Sequence, residues 1–136
     1  MDIKELKPTS IWHYFDAITG VPRPSKKEER IREFLLNFAK EQNLEVKVDK
    51  TGNVVITKEA TPGCEGAPTV ILQAHMDMVC EKNGDVKHDF ERDPIETYID
   101  GEWVKARGTT LGADNGIGMA AAMAVLADKE LKHGRI

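Results

Sequence analysis

From Pro8 to Ile18 the apolar residues Ile11, Trp12, Phe15 and Ile18 recur at steps of three or four. That period predicts an amphipathic helix, with Thr9 or Ser10 as its N-cap and Gly20 as its end. Pro22 and Pro24 interrupt the chain, and Ser25 followed by Glu28 has the form of a capping box that opens a second helix running to about Asn43. Ile31, Leu35 and Phe38 share one face of it, with Phe34 and Leu36 beside them. Leu44, Val46 and Val48 then alternate with polar residues up to Thr51-Gly52-Asn53, and Val54 to Ile56 resume beyond this turn signal. The pattern is that of a β-hairpin. Ala60 to Pro68, with two prolines and two glycines, is expected to be an exposed loop. Thr69 to Leu72 is a short run that reads as a buried central strand, because it is continuous rather than alternating. Glu81 to Pro94 is polar and predicts a long loop. Thr97 to Val104 forms a second hairpin signal around Asp100-Gly101. The small, unbranched run from Met119 to Leu126 predicts a well-buried helix ending near Asp128. Together these elements give an α/β class, a mixed sheet with flanking helices.

Composition narrows the function classes. With 136 residues, 40% hydrophobic and 31% charged, the chain has the make-up of one globular domain. A net charge of -4, from 19 Lys+Arg against 23 Asp+Glu, gives no general field for a nucleic-acid backbone or an anionic lipid surface. The charged start and the lack of any long apolar run argue against secretion and membrane insertion. Two cysteines, Cys64 and Cys80, make no disulfide framework, so a reducing cytoplasmic setting is expected.

Two segments carry candidate chemistry. His75-Met76-Asp77 closes the apolar run, and residues two apart in extended backbone point to the same side. An imidazole can then give one nitrogen to a metal while the carboxylate takes the proton on the other and fixes its tautomer. The alternative is a polar strand end facing water. Asp114 lies in a glycine-rich turn just before a helix, where glycines allow close backbone approach and a two-oxygen carboxylate can bridge two cations. Its alternative, or that of Asn115, is to cap the helix. The loop lacks the Lys-Ser/Thr ending of a phosphate-binding loop and does not follow the dinucleotide-binding glycine spacing. Trp12 and Phe15 read as helix core, Cys80 as an inert buried thiol, His13 and His133 as surface histidines on helices, and His88 as a loop-packing residue.

The run from Leu72 to Asn83 (LQAHMDMVCEKN), His88-Asp89-Phe90, Asp93-Pro94-Ile95 and the run from Gly108 to Gly118 (GTTLGADNGIG) closely resemble the aminoacyl-histidine dipeptidases, also called cytosolic non-specific dipeptidases. These belong to the larger set of two-zinc aminoacylases and carboxypeptidases. The resemblance spans the whole chain and implies that residues 1–136 are the N-terminal portion of a two-zinc exopeptidase-like catalytic domain. It implies His75 as a zinc ligand, Asp77 as the acid that orients it, and Asp114 as the carboxylate bridging both metals, with a cis peptide after Asp114. It further implies hydrolysis of dipeptides, typically Xaa-His, with manganese or cobalt as alternatives to zinc, and a homodimer built through an inserted domain. The family pattern continues, after the helix, into a strand and a Glu-Glu pair that holds the general base and a further ligand. Without these the 136 residues alone are expected to be inactive and to bind zinc weakly or not at all. The competing expectation is a non-catalytic domain that retains a degenerate metal or anion site for interaction or regulation.

Overall fold

The computed structural model describes residues 2–136. A 3₁₀ turn at Ile3–Glu5, capped by the Asp2 carboxylate, leads into α1 (Thr9–Thr19) and α2 (Glu29–Glu41). The hairpin β1 (Glu45–Val48) and β2 (Val54–Thr57) follows, then β3 (Thr97–Asp100) with β4 (Trp103–Ala106), and finally α3 (Ala113–Ala127). Both hairpins are antiparallel, with Val48 opposite Val54 and Asp100 opposite Trp103. The first turn is organised by Asp49, whose Oδ1 accepts from the Thr51, Gly52 and Asn53 amides at 2.9 Å each. The second turn is Gly101-Glu102, with Gly101 at φ 61°, a conformation that costs glycine little.

The core lies where α1 packs on α3 and both meet α2. Phe15 and Ile18 from α1, Ile31, Leu35 and Phe38 from α2, and Met119, Ala120, Met123 and Leu126 from α3 form one buried cluster. The three- and four-residue spacing on α1 and α2 puts these positions on one face, so burying them removes a continuous apolar stripe from water. Trp12 is half-buried and meets Phe15 edge-on at 5.8 Å between ring centroids. This cluster fixes α3, and α3 begins at the glycine-rich turn that carries Asp114.

The α/β class holds, but four expectations need correction. Thr69 to Leu72 is not a buried strand. It joins neither sheet, Val70 and Leu72 are exposed, and Ile71 is 86% exposed. Its one backbone tie is the Val70 amide donating to the Arg135 carbonyl at 3.0 Å. Burying such a run requires strands or helices on both faces, and none of the described elements lies there. For the same reason the described strands form two separate two-stranded sheets rather than one mixed sheet. The capping expectations also fail: Pro8 occupies the N-cap position of α1, Glu28 that of α2, and neither helix has a side-chain cap. Finally, His133 lies beyond α3 in an irregular, half-buried segment. There its amide donates to Thr61 Oγ1, and the Thr61 amide donates to its carbonyl.

Candidate functional site

The extended segment after Leu72 and the turn before α3 converge on one imidazole. His75 Nδ1 lies 2.9 Å from Asp77 Oδ1, and 3.1 Å from the Asp77 carbonyl. On the other edge of the ring, Nε2 lies 2.9 Å from Asp114 Oδ1. His75, Asp77 and Asp114 are therefore brought together across 39 residues of sequence. Asp114 does not cap α3. Gly112, at φ 74°, holds the N-cap position without a side-chain cap, and the Asp114 side chain is 96% exposed and turned to His75. The Asp114–Asn115 peptide is cis, the form expected there.

Two residues that sequence patterns did not connect with the site complete the surroundings. Ser25 donates its hydroxyl to Asp77 Oδ2 at 2.5 Å, so the side chain that looked like a helix cap is engaged on the orienting acid. Arg23 is 2% exposed. Its Nη1 donates to the carbonyls of Met76 and Asp77 at 3.2 and 3.0 Å, and its Nη2 to the Gly112 carbonyl at 2.6 Å. Both residues come from the Pro22–Ser25 segment between α1 and α2, which runs beside the site through a parallel bridge of Pro24 to Met78. No local periodicity marks such residues, because their partners lie more than 50 residues away.

The electrostatics follow from this geometry. The Asp114 carboxylate on Nε2, and then Asp77 on Nδ1, favour an imidazolium that donates from both nitrogens and raise the His75 pKa above its ordinary value. The Ser25 hydroxyl, followed by His75, holds Asp77 below the usual carboxylate range. Burial lowers the Arg23 pKa, against which the Asp77 charge acts. Burial likewise pushes the Cys80 thiol up, and its Sγ faces the Met78 carbonyl, as suits an inert packing thiol. His13 is exposed on α1, and His88 packs edge-on against Phe90 at 4.5 Å within the long loop.

These donors fit part of a zinc site. Two ligand atoms on one tetrahedral zinc, each at ~2.0–2.1 Å, stand roughly 3.3 Å apart. The 2.9 Å between Nε2 and Asp114 Oδ1 is close to that spacing, so both atoms could face one cation after a small separation. Asp77 sits on the opposite edge of the ring, where a carboxylate fixes the tautomer of a ligating histidine rather than joining the ligands. Among the described residues no group of three His, Cys, Asp or Glu side chains could hold a metal ion. Also among them, no helix is long and apolar enough to cross a membrane.

Comparison with known proteins agrees in sequence and in fold. No family model matches the chain. It is 54% identical over 133 residues to the cytosol non-specific dipeptidase of Escherichia coli, covering 98% of this chain and 27% of that protein. The crystal structure of aminoacylhistidine dipeptidase from Vibrio alginolyticus superposes with a TM-score of 0.97 at 57% identity, over all of this chain and 28% of that one. The aminopeptidase PepT of Bacillus cereus matches at a TM-score of 0.72 and 26% identity over 93% of this chain and 34% of its own. A tripeptidase of Staphylococcus aureus, at 22% identity and a TM-score of 0.74, shares the fold over 93% of this chain and 34% of that one. In sequence and in fold, the chain resembles the aminoacylhistidine and cytosol non-specific dipeptidases over nearly all of its own length and a little over a quarter of theirs.

Proposed function

We propose that residues 1–136 are the N-terminal portion of the catalytic domain of a metal-dependent dipeptidase, in which His75 and Asp114 hold zinc and Asp77 orients His75. The observation that carries this is the His75 ring set between two carboxylates, one on each nitrogen at 2.9 Å. The comparisons support it through the two relatives above 50% identity, both of which are dipeptidases. When bound there, a pair of zinc ions would supply Lewis-acid polarisation of the scissile carbonyl and a more acidic water, and manganese or cobalt could fill similar ligand sets.

The chain's own residues prepare that chemistry. Donating Nδ1–H to Asp77 leaves the Nε2 lone pair free to face a cation. The ionised Asp77 favours this tautomer and would stabilise positive charge on the ring. Asp114 would offer Oδ1 on the Nε2 side of the ring, and its exposed side chain would leave the second oxygen available to another ion. Two donors are fewer than the three protein ligands a catalytic zinc usually has, so this chain on its own should be inactive and hold zinc weakly. The general base and remaining ligands would come from a Glu-Glu pair and other residues of the longer protein. That protein would be a cytoplasmic homodimer acting on dipeptides such as Xaa-His.

Dipeptide hydrolysis and zinc binding, measured on the 136-residue chain and on the longer gene product, test this. The longer protein should hydrolyse dipeptides, lose the activity with chelator, and lose it in His75→Ala and Asp114→Ala. The short chain should be inactive. Tight binding of two zincs by the short chain, or a gene product with no peptidase activity that ends at Ile136, would overturn the proposal, the latter favouring a non-catalytic domain.

A further inference from the structure

We propose that Arg23 is a positioning residue of this site: its guanidinium fastens the segment that carries His75 and Asp77 to the segment that carries Asp114. The inference rests on the assignment of those three residues as a metal site. All three hydrogen bonds of the guanidinium go to backbone carbonyls, and each acceptor belongs to a site residue or lies within two positions of one. Met76 follows His75, Asp77 is itself the orienting acid, and Gly112 is two residues before Asp114. One planar donor group thus spans both segments of the site, with Nη1 on one side and Nη2 on the other, a fork that lysine cannot reproduce.

The fit around it is close. A Cβ on Gly112 would fall 2.6 Å from Arg23 Nη2, and one on Gly116 would fall 2.7 Å from it. Both glycines leave space that the guanidinium occupies. The Met78 amide also donates to the Arg23 carbonyl at 3.0 Å, so backbone and side chain of Arg23 hold the same segment. Further ties between the two segments lie farther out: Thr110 Oγ1 donates to the Val79 carbonyl at 2.7 Å, the Thr110 amide to the Glu81 carbonyl at 2.8 Å and the Asn83 amide to the Gly108 carbonyl at 2.8 Å. Arg23 is the tie adjacent to the imidazole. A buried cation with no hydrogen-bonded carboxylate is costly, and a merely space-filling role would be served better by an apolar side chain. Fixing the 2.9 Å approach of His75 to Asp114 accounts for its presence.

The test uses the metal-free 136-residue chain and its variants Arg23→Met, Arg23→Lys and Gly116→Ala. Leu35→Ala is the control, a core change on α2 that lowers stability without touching the site. Two readouts are taken: the ring ¹⁵N chemical shifts of His75 at fixed pH, which report hydrogen bonding at Nε2, and the affinity for cobalt(II) alone. Arg23→Met and Gly116→Ala should move the His75 signals toward those of a free imidazole and weaken cobalt binding by about 10- to 100-fold, the range for partners that orient metal ligands. Arg23→Lys should recover part of both, and Leu35→Ala should change neither. If Arg23→Met does not fold, Gly116→Ala decides, since it keeps the arginine and its Cβ meets the guanidinium first, at 2.7 Å, with Phe15 Cε2 next at 3.2 Å. Folded variants with the parent's His75 signals would overturn the proposal. Cobalt binding that survives His75→Ala would refute the metal assignment, while the ¹⁵N shifts decide the role of Arg23 even where the short chain binds cobalt too weakly to measure.

Discussion

Replacing Ser25 by alanine separates two roles for that hydroxyl through pH. A Ser N-cap is worth about 1 kcal/mol, and this does not depend on the charge of any carboxylate. In the structure the hydroxyl instead donates to Asp77 Oδ2 at 2.5 Å. A hydrogen bond to a charged group contributes about 1.5–3 kcal/mol net. The Asp77 side chain is 31% exposed, so water replaces part of what is lost, and about 1 kcal/mol at neutral pH is the expected cost, close to a fivefold change in the folding constant. The sign with pH follows from Asp77. Its carboxyl is held below the ordinary value, first by Ser25, so the stabilisation is present above the unfolded value of about 3.9 and is lost as pH falls through the lowered native value. Once Asp77 is protonated, the hydroxyl still has the Met78 carbonyl at 3.3 Å as an acceptor, and that bond is lost to alanine at every pH. Urea unfolding of parent and variant, in chelator, at pH 7 and at successive steps below pH 4 would measure this. The difference should shrink steadily in acid. A penalty that stays constant with pH would refute the link to Asp77 and restore the helix-cap role.

Three further outcomes are expected. Asp114→Asn should lower the His75 pKa of the metal-free chain toward its ordinary value, followed by NMR titration. Because the native value is raised, the lost stabilisation should show below about pH 6.5 and fade as pH rises through the native value; an unchanged His75 titration would refute the contact. Phe15→Ala removes a side chain that is 1% exposed at the meeting of α1 and α3 and should cost about 3–5 kcal/mol in denaturant unfolding, whereas a loss below about 1 kcal/mol would mean that α1 does not anchor α3. Ile71→Lys should leave stability within about 0.5 kcal/mol and improve solubility, since the side chain faces water; a loss of several kcal/mol would restore the buried-strand expectation.

What the sequence made legible depends on the range of the interactions. The helices and hairpins follow from periodicity and turn residues, because their hydrogen bonds close within a few positions. His75 and Asp114 were legible as candidates, since an apolar run before one and glycines around the other allow chemistry as well as a water-facing end or a helix cap, and the family resemblance singled them out. Ser25 and Arg23 were not, since a Ser followed by Glu three residues on satisfies a local capping rule, and nothing local signals that Asp77 competes for the hydroxyl from 52 residues away. Thr69 to Leu72 failed for the opposite reason. Its residues have the composition of an interior strand, but burial is a property of neighbours, and the described elements supply none.

The site is also uneven in how firmly its parts are held. Asp114 opens a helix whose buried face belongs to the main core, whereas among the described residues no amide from Ile71 to Asp77 donates a hydrogen bond. Amide hydrogen exchange should therefore be slow along the inner turns of α3 and close to unprotected from Ile71 to Asp77. One wall of the site is set by the cooperative unfolding of the core, and the other can open locally while the rest of the chain stays folded. A ligand joining His75 to Asp114 would then announce itself as new exchange protection on the His75 segment, with α3 scarcely altered.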